Sequence, residues 1–376
     1  MKLLVPSPTR PGETRVAVVP STVGRFTAAG FTVQVQSGAG DAAFATDQAY
    51  RDAGAEIITD LPAALAEADV VATVRPLEPE YASKLKKGAV SVSFLGAGDV
   101  DTIRALQGAG ATALSFDYLP RISRAQSMDA LTSQALVTGY RAAVVGAQEL
   151  PQFYPMFMTA AGTIQPAKVL VLGAGVAGLQ AIATAKRLGA KVSAYDVRPA
   201  SADEVKSMGA AFITLELEQL EGTGGYAREM TEDRAAKQRE LLTPYVAGSD
   251  VLITTAAVPG RRAPLLVTRE MVETMHPGAV VVDLASESGG NVEGSVAGEV
   301  VEINGVKVWG AKDVASSMPV HASQLFAMNV LNLLALTVKE GEVVVDVEDE
   351  VLDGCAIILN GELRNENVKA SIEGGA

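Results

Sequence analysis

Cysteine and histidine are nearly absent. The 376 residues contain one cysteine, Cys355, and two histidines, His276 and His321. A lone cysteine excludes an internal disulfide and a cysteine-based metal cluster. Basic charge is also scarce. Lys and Arg number 31 against 44 Asp and Glu, a net charge of −13. Such a chain repels a phosphate backbone, which argues against a nucleic-acid partner. Long apolar runs are missing as well. None reaches the roughly 18 residues needed to cross a bilayer. The longest candidate, Leu325 to Val338, has Gln and Asn just before or inside it and reads as a buried helix. The start, Met1 to Val5, is too short an apolar run before Pro6, Pro8 and Pro11 to be a secretory signal. The expectation is a soluble, cytoplasmic protein, although docking to a membrane partner would leave no mark on composition.

What is plentiful is glycine, at 36 residues, spaced as turn punctuation rather than as low-complexity sequence. The length suits two domains. In the first 120 residues short β-rich runs alternate with helical stretches. Strands are expected at Lys2–Pro6, Thr32–Gln36, Glu56–Ile58, Val70–Val74, Ala89–Phe94 and Thr112–Ser115, with helices between them such as Ser21–Ala29 and Asp99–Gly108. Strands separated by helices argue for βαβ crossovers and a parallel sheet. The rhythm restarts at Lys168, with strands expected at Val169–Leu172, Lys191–Tyr195, Ala211–Thr214, Val251–Thr254 and Ala279–Asp283. Ser123 to about Leu150 reads as one long helix linking the domains, and Glu216–Tyr245 as a polar loop. A late helix, from about Ala322 to Val338, is expected to pack back on the first domain. The tail carries strand-like Val343–Val345 and Ala356–Leu359 and a turn at Asn360-Gly361. The fold class is therefore α/β, with two doubly wound, parallel-sheet, Rossmann-like domains separated by a cleft. Residues 1–122 with 320–376 form the first, discontinuous domain. Residues 123–319 form the second, with a mobile loop near 216–240.

The second domain opens on a dinucleotide signature. Val169–Leu172 precedes Gly173-Ala174-Gly175-Val176-Ala177-Gly178, a helical run follows to Leu188, and the next strand ends at Asp196, 18 residues beyond Gly178. A lone GxGxxG is weak; strand, helix and acid together are specific. Gly173 permits the tight turn, Gly175 lets the backbone approach a pyrophosphate, and Gly178 lets helix and strand pack closely. The helix N-terminus offers free N–H groups to the phosphates. Asp196 suits the adenosine ribose hydroxyls and repels a 2′-phosphate, which favours NAD(H) over NADP(H). Arg198 complicates that choice, since an arginine nearby can take a 2′-phosphate.

A second constellation lies where one domain passes to the other. Pro120 to Asp129 packs Arg121, Arg124, Gln126 and Asp129 into ten residues. Interdomain clefts are common ligand sites, and Arg121, Gln126 and Asp129 can bond a carboxamide or ribose. A capped helix N-terminus with a salt bridge explains the same residues equally well.

Residues 121–129 (Arg-Ile-Ser-Arg-Ala-Gln-Ser-Met-Asp) and 173–190, together with Arg10–Glu13, Arg15–Ala17, Met158–Thr163 and Gly224–Ala227, resemble the NAD(H)-binding component of proton-translocating nicotinamide nucleotide transhydrogenase. The resemblance spans nearly the whole chain. It implies a homodimer that exchanges hydride between its NAD(H) and NADP(H) held by a partner domain. It also implies a membrane-embedded, proton-conducting partner, which would hold this chain peripherally at the inner face of the cell membrane. By position it places Arg121, Gln126, Asp129 and Thr132 at the nicotinamide end, with Thr132 where the family pattern has Ser. It places Val176 at the pyrophosphate, and Asp196, Val197 and Arg198 at the adenosine ribose. Gly225 and Tyr226 fall in a mobile loop that closes over the nucleotide, and Gln238 and Val258 at further nucleotide contacts. Gln126 is the candidate for reaching the partner's nucleotide.

Two rival readings remain. The fold and the Arg15-Val16-Ala17 start also resemble alanine dehydrogenase, which needs an acid/base pair. Where that family has a lysine and a histidine, this chain carries Arg75 and Phe94. His276 sits in a Met-His-Pro-Gly surface turn and His321 begins the late helix, so neither fits a catalyst. A non-catalytic NAD(H) sensor is the other rival.

Overall fold

A computed structural model describes residues 1–216, 232–257 and 262–373. The chain divides into two compact units, one of Met1–Gln134 with Ala315–Ala376 and one of Ala135–Val314. Strands β1 (Lys2–Val5), β2 (Thr32–Gln36), β3 (Glu56–Ile58), β4 (Val70–Ala72), β5 (Val90–Ser93) and β6 (Thr112–Ser115) lie in the first unit. The second holds β7 (Phe157–Thr159), β8 (Gly162–Ile164), β9 (Lys168–Leu172), β10 (Lys191–Tyr195), β11 (Ala211–Phe212), β12 (Val251–Thr254), β13 (Val280–Asp283), β14 (Val300–Ile303) and β15 (Val306–Gly310). The chain returns to the first unit with β16 (Val338–Lys339), β17 (Glu342–Val343), β18 (Ala356–Leu359) and β19 (Glu362–Leu363).

Each unit is built on one sheet, in the order β19-β18-β6-β5-β4-β1-β2-β3 in the first and β11-β10-β9-β12-β13-β15-β14 in the second. Neighbours are parallel except at β18–β6, β18–β19 and β14–β15. Both are α/β, Rossmann-like sheets with an antiparallel edge. The central strands are buried end to end, for example Val70–Ala72, Val251–Thr254 and Val280–Asp283. That is what a parallel sheet covered on both faces requires, and it explains why these strands read as continuous apolar runs. Apolar cores lie on both faces of each sheet. Among the described residues no helix is long and apolar enough to cross a membrane.

Several local expectations need correction. Ser123–Leu150 is not one helix. It is a 3-10 helix, Ser123–Met128, then an α-helix, Ala130–Glu149. The break falls at Asp129, whose carboxylate accepts the Thr132 N–H at 2.9 Å and so caps the second helix. The unit boundary falls inside that α-helix, after Gln134, because Gln134 donates to the Ala322 carbonyl at 3.1 Å and accepts from Arg15 at 2.9 Å, all within the first unit. The stretch expected to be a polar loop ends in a helix, Glu232–Ala247, which buries Gln238, Leu242 and Val246. The late helix runs Pro319–Ala335, so Val338 belongs to β16. The hairpin β14–β15 has no counterpart among the expected strands. It turns on Asn304-Gly305, both at positive φ, and the Asn-Gly pair is its visible signal. The same geometry at Asn360-Gly361 joins β18 to β19.

Candidate functional site

The turn after β9 gives each motif glycine a separate reason. Gly173 has φ of 99°, in the left-handed region where a side chain is strained, and a Cβ there would lie 2.6 Å from Thr255 Oγ1. A Cβ on Gly178 would lie 1.9 Å from the Gly173 carbonyl oxygen, so helix Val176–Arg187 seats directly on the turn. Gly175 is different. Its φ and ψ, −76° and −170°, suit any residue, and a Cβ there would meet no atom within 4 Å. The fold does not need a glycine at this position; a ligand lying against the backbone does. Gly175 is the N-cap and supplies no side-chain cap, which leaves the first N–H groups of the helix for an anion. Val176 is the first helical residue and is exposed. These residues fit a dinucleotide pyrophosphate.

Asp196, just past β10, reaches the same turn. Its Oδ2 accepts the Ala174 N–H at 2.7 Å. Its Oδ1 accepts the Arg198 backbone N–H at 2.8 Å and Nε–H at 2.9 Å, while Arg198 Nη2 donates to Oδ2 at 3.0 Å. The carboxylate thus shapes the turn and holds the guanidinium expected to complicate cofactor choice. Val197 packs partly buried beside it. Gln238 lies buried in helix Glu232–Ala247. Gly225, Tyr226 and Val258 lie outside the described residues.

The other predicted residues gather in the first unit. Ala125 and Met128 are buried and anchor the 3-10 helix Ser123–Met128, leaving Arg121 and Gln126 exposed. Asn329 and Asn332, on helix Pro319–Ala335, donate to the Ser127 carbonyl at 3.0 and 2.9 Å. Arg124 grips Asp349 with two hydrogen bonds of 2.8 and 2.5 Å. Asp129 Oδ2 accepts Thr132 Oγ1–H at 2.6 Å, so these two predicted residues form one capping pair. Sequence reasoning missed Asn329, Asn332 and Asp349, because their partners lie some two hundred residues away.

The acid/base positions of an amino-acid dehydrogenase are filled otherwise. Phe94 packs against Phe116 and Phe326, with ring centroids 5.9 and 5.6 Å apart. Arg75 Nε lies 3.4 Å from Glu13 Oε2, and Arg15 Nη2 lies 2.6 Å from the same atom. Burial works against charge on Glu13, but the hydrogen bonds and charge of Arg15 outweigh it and hold the carboxyl below the usual carboxylate range. Glu13 is a paired anion, not a base poised near neutrality. His276 Nε2 lies 2.9 Å from Asp250, and its Nδ1 3.0 Å from the Pro277 carbonyl oxygen. The Pro277 contact, helped by Asp250 and opposed by partial burial, raises its pKa. It is a surface ion pair.

The fold and the turn define a class, the two-unit α/β proteins that bind a nicotinamide dinucleotide. Comparison with known proteins narrows it. The alanine dehydrogenase/PNT N-terminal domain matches residues 4–138, and the corresponding C-terminal domain residues 142–366. An NAD(P) transhydrogenase alpha subunit of Rhodospirillum rubrum is 46% identical over 374 residues, 96% of this chain and 97% of that protein. The alanine dehydrogenase of Mycolicibacterium smegmatis is 32% identical over 296 residues, 77% of this chain and 74% of that protein. The crystal structure of a transhydrogenase from Sinorhizobium meliloti superposes with a TM-score of 0.85 at 40% identity, covering 98% of this chain and 100% of that one. The chain belongs to the alanine dehydrogenase/PNT family, and within it to the NAD(P) transhydrogenase alpha subunits.

Proposed function

We propose that this chain is the NAD(H)-binding subunit of a proton-translocating transhydrogenase. Bound NAD(H) supplies or receives a hydride, exchanged directly with NADP(H) on a partner domain. A membrane-embedded partner couples the exchange to proton movement and holds the chain at the inner face of the cell membrane. The observation that carries the reading is Gly175, kept open to a ligand beside the Asp196 carboxylate. Support for the transhydrogenase branch comes from Arg75 and Phe94, since direct hydride exchange takes no proton from a substrate and needs no base there. The residues then serve to bind and to orient, which is where the rate of such a step is gained. Asp196, with Val197 and Arg198 beside it, takes the adenosine ribose, and the Gly173–Val176 turn the pyrophosphate. Arg121, Asp129 and Thr132 take the nicotinamide end, and exposed Gln126 reaches the partner's nucleotide. Gly225 and Tyr226, with Gln238 and Val258, complete the contacts that the family resemblance suggests.

The test mixes the chain with a separate NADP(H)-binding domain of a transhydrogenase and follows reduction of an NAD analogue by NADPH. Rapid transfer is expected, and turnover of alanine with NAD⁺ by the chain alone would overturn the reading. Gln126→Asn should slow transfer at least about ten-fold, a loss of the order seen for misplaced reactants, while NADH binding stays near its original strength. A collapse of NADH affinity in that variant contradicts the role given to Gln126.

The homodimer belongs to the same proposal, and β7–β8 is its expected contact. These strands form a separate two-stranded sheet with every residue exposed, Met158 at 80%. Phe153 and Met156 beside them are also exposed. An isolated hairpin is marginal in water, and clustered exposed apolar groups mark a contact surface. Met158→Asp should shift the chain from dimer to monomer in sedimentation; an unshifted dimer would move the contact elsewhere.

A further inference from the structure

The carboxyl end of β12 is held by two fully buried polar residues, Asp283 and Asn291, that the proposed function does not use. Asp283 ends β13. Its Oδ1 accepts Thr254 Oγ1–H and the Ala285 N–H, both at 3.0 Å, and its Oδ2 accepts the N–H groups of Asn291 and Val292 at 3.1 and 3.2 Å. A carboxylate so fully used by hydrogen bonds is a brace, not a reagent. What it braces is Asn291.

The Asn291 amide then acts as a short piece of strand. Its Oδ1 accepts the Ala256 N–H at 3.0 Å, and its Nδ2 donates to the Ala256 and Pro264 carbonyls, both at 2.8 Å. β12 ends at Thr254, so no strand partner serves Ala256. An apolar residue at 291 would leave three backbone groups without these bonds, each a costly loss when buried. An Asp could accept but not donate. One residue back, Thr255 Oγ1 donates to the Gly173 carbonyl at 3.0 Å and the Thr255 N–H to the Leu172 carbonyl at 2.9 Å. A continuous line of bonds therefore runs from Asp283 through Asn291 and the Thr255–Ala256 segment to the phosphate turn.

This line arrives from the side opposite Asp196. In the sheet, β10 and β12 flank β9 on its two sides. In sheets of this kind the two halves of a dinucleotide lie on the two sides of that switch point. Asp196, past β10, serves the adenosine side, and the Thr255–Ala256 backbone faces the other. We propose that Asn291 is a positioning residue for the nicotinamide half of NAD(H). It fixes the Thr255–Ala256 backbone against the Gly173 turn before the ligand arrives, so that less order must be imposed on binding. The inference rests on the NAD(H) reading given above.

The test compares two ligands on the full chain by calorimetry: NADH, and 5′-AMP, which carries the adenosine half alone. Asn291→Asp keeps the acceptor toward Ala256, loses both donors and sets a carboxylate against two carbonyls. NADH should loosen at least about ten-fold, equivalent to about 1.4 kcal/mol, while 5′-AMP is held as before. Thr255→Val removes the bond to Gly173 without burying charge and should give the same selective loss, which Thr255→Ser should restore. If Asn291→Asp does not fold, the Thr255 pair decides. Equal loosening of both ligands, or unchanged NADH binding in folded variants, overturns the assignment of Asn291. Failure of the unaltered chain to bind NADH at all overturns instead the reading beneath it.

Discussion

Gly175→Ala should leave the melting temperature unchanged or slightly higher, and should weaken NADH about ten- to hundred-fold. The backbone there already has dihedrals an alanine adopts, and the added methyl meets nothing within 4 Å. Losing a glycine's freedom in the unfolded chain favours the fold by about 0.4–1 kcal/mol. The space the methyl enters is the space a pyrophosphate needs, and an overpacking cost of about 1–3 kcal/mol then falls on the complex alone. Gly178→Ala is the control with the opposite signature. Its methyl would lie 1.9 Å from the Gly173 carbonyl oxygen, so the turn itself must shift. Stability and affinity should fall together. Thermal melts and NADH titrations of the two variants separate a glycine kept for the fold from one kept for a ligand. If Gly175→Ala binds NADH as the unaltered chain does, the open space beside it is not the phosphate site.

This contrast shows what kind of information the sequence carries. The strand–turn–helix around Gly173 is legible because its constraints are local, with every contact made within about thirty residues of the motif. The Asn360-Gly361 turn is legible for the same reason, and Asn304-Gly305 carries an equally visible signal. Helix Glu232–Ala247 hides because its buried residues, Gln238, Leu242 and Val246, fall four apart on a single narrow stripe. A polar window with so thin a stripe reads as loop. The break at Asp129 hides because a capping aspartate and a ligand-binding aspartate look alike in sequence. Asn291 could not be found at all. Its partners at Ala256 and Pro264 become neighbours only once β12 and β13 are paired, and an asparagine in a Gly-Gly-Asn stretch otherwise reads as a surface turn. The local phosphate turn is therefore readable, while the residues that brace it from a distance are not.

Asp196→Ala should change which cofactor the chain prefers. In the folded chain the carboxylate is nearly fully buried and takes the Ala174 N–H together with three donors from Arg198. Bound NADH would add the ribose hydroxyls as donors to the same group, and hydrogen bonds to a charged acceptor are worth about 1.5–3 kcal/mol each. Removing the carboxylate should therefore weaken NADH by about ten- to hundred-fold. It should also release Arg198, whose planar fork suits a phosphate and is held by Asp196 in the unaltered chain. NADPH, repelled before, then meets a free arginine in place of an acid, so the ratio of NADPH to NADH affinity should rise through both changes. The double variant Asp196→Ala/Arg198→Ala isolates the second effect. It should keep the weakened NADH binding and lose the gain for NADPH, and the mismatch between single and double variants measures the coupling. An unchanged cofactor ratio in Asp196→Ala would show that the acid shapes the turn through Ala174 and does not choose the nucleotide.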